Sequence, residues 1–397
     1  MTCKNSVFRH AIIVLLFFVL QNSILYSKPN VLLVHFATKY WGGVENHTLN
    51  RYKMLLKHGY NANILVDPQS AMESKLKQLG LPSRPFSKKP LQDDIYNACK
   101  ELNIDIVMCP SAPSIIAAKK VARKIPIKII GVRHMPVRDI SILLWKNLDG
   151  VIGVSPEIAD FFRTENTTKN LNIKNIVYIP PFFDAEKFHN FSATNMTQES
   201  KKEYFLRRFN LDIDNKPILC MIGNMYDDLL HKNHPLLLEA VQKLVLEKNK
   251  PIHVMLAGSG DRQEYLEKLS LKLGIQKYVH FLGFVSDIPE LLFHSDFHVL
   301  TSSHEAFGQV HIEAGLMKKA SIGATKTGAT AVIIPEHTGL LFNNGDKDDL
   351  VAQLEKLIDN PEHSQQLGKN GYDHVLLNFS NTAQFEKLES LFNAMEK

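Results

Sequence analysis

Two carboxylates eight residues apart, Glu305 and Glu313, are the first candidates for chemistry in this chain. Phe297 to Leu300 reads as a short buried strand, Thr301, Ser302 and Ser303 as a polar turn, and a helix is expected near Gly308 with Val310, Ala314 and Met317 on one face. Glu305 then falls in the turn at the carboxyl end of a strand, where open α/β sheets place their ligands. Glu313 lies two turns into the helix and faces the same crevice. Between them the backbone N–H groups of Ala306, Phe307 and Gly308 are donors of a helix start, a seat suited to a phosphate. A Glu pair at this spacing also arises from two solvated carboxylates flanking a helix, so the elements around it have to decide.

Those elements alternate strand and helix. Val31 to Val34 is an apolar run, Trp41-Gly42-Gly43 a turn, Glu45 to Lys57 a helix, and Ala62 to Val66 the next strand. The glycine pair Gly42 and Gly43 lets the backbone approach a ligand closely at the helix N-terminus. Strands follow at Asp105 to Cys109, Ile127 to Val132 and Gly150 to Val154. Arg133-His134 stands at the carboxyl end of the second of these, which singles out His134 from an ordinary structural histidine. The polar, charged stretch from Asn190 to Asn215 is the expected boundary. The alternation restarts at Ile218 to Ile222, and Lys232-Asn233-His234-Pro235 leads into a helix. Val254 to Ala257 ends in Gly258-Ser259-Gly260, a turn without the third glycine of a dinucleotide fingerprint. Val279 to Leu282 leads to Gly283-Phe284. Pro361 to Phe392 reads as terminal helix. The fold class expected is α/β, two doubly wound Rossmann-like domains facing across a cleft.

The run S-D-F-H-V-L-T-S-S-H-E-A-F-G-Q-V-H-I-E-A-G-L-M-K-K and the sequence that follows it to Phe342 resemble the C-terminal half of the retaining glycosyltransferases of family 4, the glycosyl transferases group 1. The opening K-P-N-V-L-L-V-H-F-A-T-K-Y-W-G-G-V-E-N-H looks like the start of such enzymes. The resemblance covers roughly residues 29 to 395. It implies a GT-B fold: residues 1–28 as a hydrophobic segment, 29–200 as an acceptor-side domain, 201–375 as the nucleotide-sugar domain, and 376–397 as a helix returning to the first domain.

It also implies roles. Glu305 and His134 are the catalytic candidates beside the transferred sugar. Gly42, Gly43, Lys232, Ala306, Phe307, Gly308 and Glu313 hold the donor, with Gly258 and Phe284 on the nucleobase side. A leaving nucleoside diphosphate gathers negative charge. Lys232 supplies a point charge for it, and the N–H groups after Glu305 supply hydrogen bonds. No D-x-D pair sits on a strand end and no Cys/His cluster has ligand spacing, so no metal and no further cofactor is expected. The resemblance implies transfer with retention, the acceptor attacking on the face from which the phosphate leaves. One departure stands out. The family places an Arg just after the glycine matching Gly223, and this chain has Asn224. Either Arg133 or Lys326 completes the diphosphate site, or the chain is a catalytically impaired binder of sugar nucleotides or glycans.

Composition narrows the partners. A formal charge of +5 spread over 397 residues, without a basic block, argues against nucleic acid. A nucleotide-sugar donor, a glycan or lipid-linked acceptor, and a membrane surface fit better. Cys3, Cys99, Cys109 and Cys220 lack C-x-x-C spacing and read as reduced thiols. Ala11 to Leu20 carries no charge. Extended to Tyr26 it reaches about sixteen residues, short of the ~20 a spanning helix needs, so a signal peptide and an uncleaved anchor both fit. Cytosolic synthesis of nucleotide sugars places the catalytic domains on the cytoplasmic side of a membrane. The Lys4 and Arg9 charges and five N-x-S/T sequons favour the alternative, an exported or lumenal enzyme.

Overall fold

Val31, Leu32, Leu33 and Val34 have almost no exposed surface, as expected for a strand covered by helices on both faces. The computed structural model describes residues 28–36, 43–87, 90–134, 141–183, 187–188, 191, 199–226 and 232–396. Gly42, Cys3 and the segment Ala11 to Tyr26 lie outside the described residues, as does the end of the loop before Lys232.

The first sheet contains β1 (Val31–His35), β2 (Ala62–Val66), β3 (Arg84–Pro85), β4 (Ile106–Cys109), β5 (Lys128–Arg133), β6 (Gly150–Gly153) and β7 (Asn175–Tyr178), in the order β3-β2-β1-β4-β5-β6-β7. Every pairing in it is parallel. Parallel neighbours need crossovers, and α1 (Gly43–Lys57), α2 (Ala71–Gln78), α3 (Leu91–Leu102), α4 (Ala112–Ala122) and α5 (Pro156–Thr168) supply them. The strand order reverses between β1 and β4, which opens a crevice at their carboxyl ends.

The second sheet repeats the plan with β8 (Ile218–Ile222), β9 (His253–Ala257), β10 (Val279–Gly283), β11 (Phe297–Leu300), β12 (Ala320–Ala324) and β13 (Leu340–Phe342), ordered β10-β9-β8-β11-β12-β13. Its reversal lies between β8 and β11. The helices are α6 (Lys201–Phe209), α7 (His234–Gln242), α8 (Gln263–Lys272), α9 (Ile288–Phe293), α10 (Gln309–Leu316), α11 (Lys347–Asp359) and α12 (Pro361–Phe379). Ser200 and Glu203 form a capping box at the start of α6, and Tyr204 and Phe205 pack with Cys220 and Met255 of the second sheet.

The terminal helix differs from expectation. It is broken at Ser380, whose extended backbone (φ −58°, ψ 146°) separates α12 from α13 (Asn381–Glu396). The break turns the chain from the second domain to the first. Asn381 then brackets Phe183, donating to its carbonyl at 2.8 Å and accepting from its N–H at 3.2 Å. Phe385, Leu388, Leu391 and Phe392 join the first domain's core, and that core continues into Phe307, Ile312 and Leu316 of the second. The two domains thus share one apolar seam. Cys99, Cys109 and Cys220 are free and buried, with burial raising each thiol to about 12.

Candidate active site between the two sheets

The two strand-order reversals face each other, and a cavity of about 300 Å³ opens between them. Gly43, Val44 and His47 of α1, and His134 after β5, form its first-domain wall. Lys232, Glu305, Ala306, Phe307, Gly308 and Gln309 form the other. A second cavity of about 630 Å³ adjoins, bounded by Ser303, His304, Glu305, Lys326 and Asn344 against Phe161 of α5. Glu305 therefore stands on the partition between the two.

Its carboxylate is engaged: Lys232 Nζ donates to Glu305 Oε2 at 2.6 Å, both side chains being half-buried. The lysine is positioned by its own backbone. Thr301 Oγ1 donates to the carbonyls of Lys232 (3.0 Å) and Asn233 (2.9 Å), and Asn233 takes a left-handed φ of 53° to start α7. Gly223, at the end of β8, leaves room for the lysine stem, since a Cβ there would sit 3.3 Å from Lys232 Cδ. An anionic ligand in the cavity has to compete with Glu305 for this cation.

The turn after Glu305 is set by close backbone packing. Gly328 N–H donates to the Glu305 carbonyl at 2.7 Å, and a Cβ on Gly328 would lie 2.2 Å from Phe307 N. Gly308, at φ 76°, ends the turn, so α10 begins only at Gln309. Glu313 is consequently one turn into the helix rather than two. Its carboxylate is also engaged, because Gln309 Nε2 donates to Glu313 Oε1 at 3.0 Å. Burial raises the Glu313 carboxyl above its ordinary value, against the pull of Gln309 and Lys187. Among the described residues the N–H groups of Ala306, Phe307 and Gly308 have no acceptor. All three residues line the cavity. Beneath α10, Ser321 Oγ joins His311 Nδ1 (2.6 Å) and His298 Nδ1 (2.8 Å), tying the helix to β11 and β12.

Sequence reasoning missed two wall residues, His47 and Gln309. His47 Nδ1 lies 3.1 Å from His134 Nδ1, and His47 Nε2 lies 3.2 Å from Gln309 Oε1, so this histidine joins the two domains. Burial, with Arg51 one turn along α1, lowers His47 to about 4. Burial and then His47 hold His134 well below the usual histidine range. The available signal was the i, i+4 spacing of Gly43 and His47 on one helix face.

Gly258 and Phe284 do not reach the cavity. Gly258 is required by close approach, a Cβ there falling 2.1 Å from the Gly223 carbonyl oxygen, and its N–H donates to Gly283 at 2.8 Å. Phe284, one residue on, is 79% exposed. Both stand at the carboxyl ends of β9 and β10, in line with Gly223. Asn224 is exposed, Lys326 borders the larger cavity, and Arg133 is the last residue of β5, half-buried, with its guanidinium lowered by burial. Among the described residues no three His, Cys, Asp or Glu side chains gather as a metal site, and no helix is long and apolar enough to cross a membrane.

Known proteins share this architecture. Residues 204–374 match the model of the glycosyl transferases group 1. The chain is 30% identical over 141 residues to the lipopolysaccharide core biosynthesis glycosyltransferase LpsD of Rhizobium meliloti, a match covering 36% of this chain and 41% of that protein. It thus spans less than half the length of such relatives. A longer match, 26% identical over 354 residues and covering 81% of this chain and 88% of the relative, is to the N,N'-diacetylbacillosaminyl-diphospho-undecaprenol alpha-1,3-N-acetylgalactosaminyltransferase of Campylobacter jejuni. Among solved structures, a glycosyltransferase from Rickettsia africae superposes with a TM-score of 0.79 at 23% identity, covering 94% of this chain and 100% of that one. Anabaena Alr3699/HepE in complex with UDP superposes at 0.75 and 19% identity, covering 91% and 99%. The chain has the GT-B fold, and its residues 204–374 are similar to the glycosyl transferases group 1.

Proposed function

We propose that this chain is a glycosyltransferase that moves a sugar from a nucleotide-sugar donor to a glycan or lipid-linked acceptor, with retention and without a metal ion. The observation that carries the reading is the Lys232–Glu305 pair at 2.6 Å, set in the interdomain cavity beside the N–H groups of Ala306 to Gly308. A donor diphosphate binds where a cation and a row of amides converge, and both stabilise the charge of the leaving phosphate. When the diphosphate takes Lys232, the Glu305 carboxylate is released toward the electron-poor sugar carbon. Retention and metal independence rest on family 4 likeness and on the cation and amides standing where a divalent ion would act. Relatives support the substrate class. HepE carries UDP, and the Campylobacter relative is named for transfer to a diphospho-undecaprenol acceptor. The cytoplasmic face of a membrane is the proposed place of action, since donor and lipid-linked acceptor meet there.

The exposed Asn224 beside Gly223 favours one second reading, a binder of sugar nucleotides with impaired transfer. The test is transfer of radiolabelled sugar from UDP- and GDP-sugars to lipid-diphosphate and glycan acceptors, with and without EDTA. Turnover is expected to survive chelation and to drop about a hundredfold or more in Lys232→Ala, the usual cost of one preorganised partner. Wild-type turnover in Lys232→Ala refutes the placement of the diphosphate. Loss with EDTA, restored by manganese, refutes the mechanism.

A further inference from the structure

Gln309 side-chain geometry sets the direction of a hydrogen-bond chain that crosses the domain boundary. Its Nε2 donates to Glu313 Oε1 at 3.0 Å, which leaves its Oε1 facing His47 Nε2 at 3.2 Å. A carbonyl oxygen only accepts, so His47 Nε2 bears the hydrogen. A neutral imidazole has one N–H, and His47 is neutral at physiological pH because burial lowers it to about 4. Its Nδ1 is then a lone pair. The atom 3.1 Å away, His134 Nδ1, has to be the donor. His134 is neutral for the same reason, with Arg51, Arg133 and His35 also opposing a second proton. Its single N–H is spent on His47, and Nε2 is left bare. That atom is buried and has no partner among the described residues, although His134 lines the cavity with Glu305.

We propose that Gln309 and His47 are positioning residues that fix His134 as the Nδ1–H tautomer, so that its Nε2 meets the donor sugar as an acceptor of a hydroxyl hydrogen. The last clause rests on the glycosyltransferase reading; the tautomer does not. The chain also ties recognition to domain approach. Gln309 and Glu313 lie on α10 and His47 on α1, so the polarity of His134 is set only where the domains meet. A second-domain carboxylate thereby selects the chemistry of a first-domain ring, as an outer partner commonly sets a histidine's tautomer.

The test reverses the chain. Gln309→Lys replaces an acceptor with a donor-only ammonium that pairs with Glu313 at i, i+4. His47 then has to accept through Nε2 and donate from Nδ1, which drives the His134 hydrogen onto Nε2. Long-range 15N–1H spectra distinguish the two tautomers, with His134 identified by its loss in His134→Gln. The wild type is expected to show Nδ1–H at His134, Gln309→Lys to show Nε2–H, and Gln309→Met, which fills the space without a polar end, a mixture. Nε2–H in the wild type, or an unchanged tautomer in Gln309→Lys, overturns the relay whether or not sugar is transferred. In turnover, Gln309→Lys should lose tenfold or more in kcat/KM with an intact donor. It should lose much less with a donor deoxygenated at the hydroxyl that His134 accepts. A switched tautomer with unchanged turnover of every donor overturns the acceptor role of Nε2. No binding of any nucleotide sugar by the wild type defeats the glycosyltransferase reading and leaves the tautomer assignment standing.

Discussion

At the scale of single residues the site is a balance of charges that neutralise one another. Lys232 is already paired with Glu305, so the diphosphate gains a second cation only if another side chain provides it. Asn224→Arg tests this. If the diphosphate is under-neutralised, the added guanidinium should tighten UDP-sugar binding by about 1 kcal/mol or more, as a charge-assisted contact does, and calorimetry reads the change. If Lys326 or Arg133 already serves, affinity should stay level or fall through like-charge crowding. New transfer activity in the variant would mark the natural protein as an impaired enzyme. The histidines make a separate prediction. Burial lowers His47, His234 and His311 each to about 4. Between the unfolded value of about 6.5 and the folded value the unfolded chain binds more protons, so stability is full above pH 6.5 and falls as pH drops toward 4. Urea midpoints should be level from pH 7 to 8 and decline between pH 6.5 and 5, before most carboxylates titrate.

Elements carry what single residues cannot: the turn that aims Glu305 is held from another strand's loop. Gly328 follows β12, yet it hydrogen-bonds the Glu305 carbonyl and lies against Phe307 N. Gly328→Ala forces a Cβ to 2.2 Å from that backbone atom, so the 305–308 turn has to move. Transfer should fall about a hundredfold, since misplacement near 1 Å costs that much. Circular dichroism should still show the alternating fold, because the clash falls between the loops after β11 and β12 and not within a strand. The strands and most helices were legible because buried parallel strands are continuous apolar runs and helices carry an apolar stripe. The start of α10, expected near Gly308, falls at Gln309, where the positive φ of Gly308 ends the turn; only the depth of Glu313 in the helix was overestimated. His47 and Gln309 escaped notice for a different reason. Their partners lie 87 and 262 residues away from His47, and periodicity carries no information about such pairs.

For the whole molecule, the question is what keeps two separately wound sheets in register across their cleft, and the last helix provides most of the answer. After the break at Ser380, α13 leaves the second domain and seals the first. Phe392 lies 5.6 Å ring to ring from Tyr60, His58 stacks on Phe385 at 3.7 Å, and Tyr60 Oη donates to Glu389 at 3.0 Å. Phe392 is fully buried there. Removing it leaves a cavity in the first domain's core, and Phe→Ala truncations at such sites cost about 3–5 kcal/mol. The consequence depends on how the domains are coupled. The shared core holds residues of β1 and α13 together with Ile312 and Leu316 of α10, while the β8–β13 sheet has a separate core around Leu237, Val254 and Phe297. Phe392→Ala should therefore loosen the first domain and the cleft and spare the second sheet. Hydrogen exchange is expected to rise along β1, β2 and α1, where opening free energy falls with the lost packing, and to stay near wild type along β8, β9 and β11. Nucleotide-sugar affinity should weaken modestly, because Lys232 and the amides after Glu305 remain in place, whereas transfer should fall further, because His134 and His47 belong to the loosened wall. Equal acceleration of exchange in both sheets would mean that the shared seam, rather than the separate cores, sets the unit of unfolding.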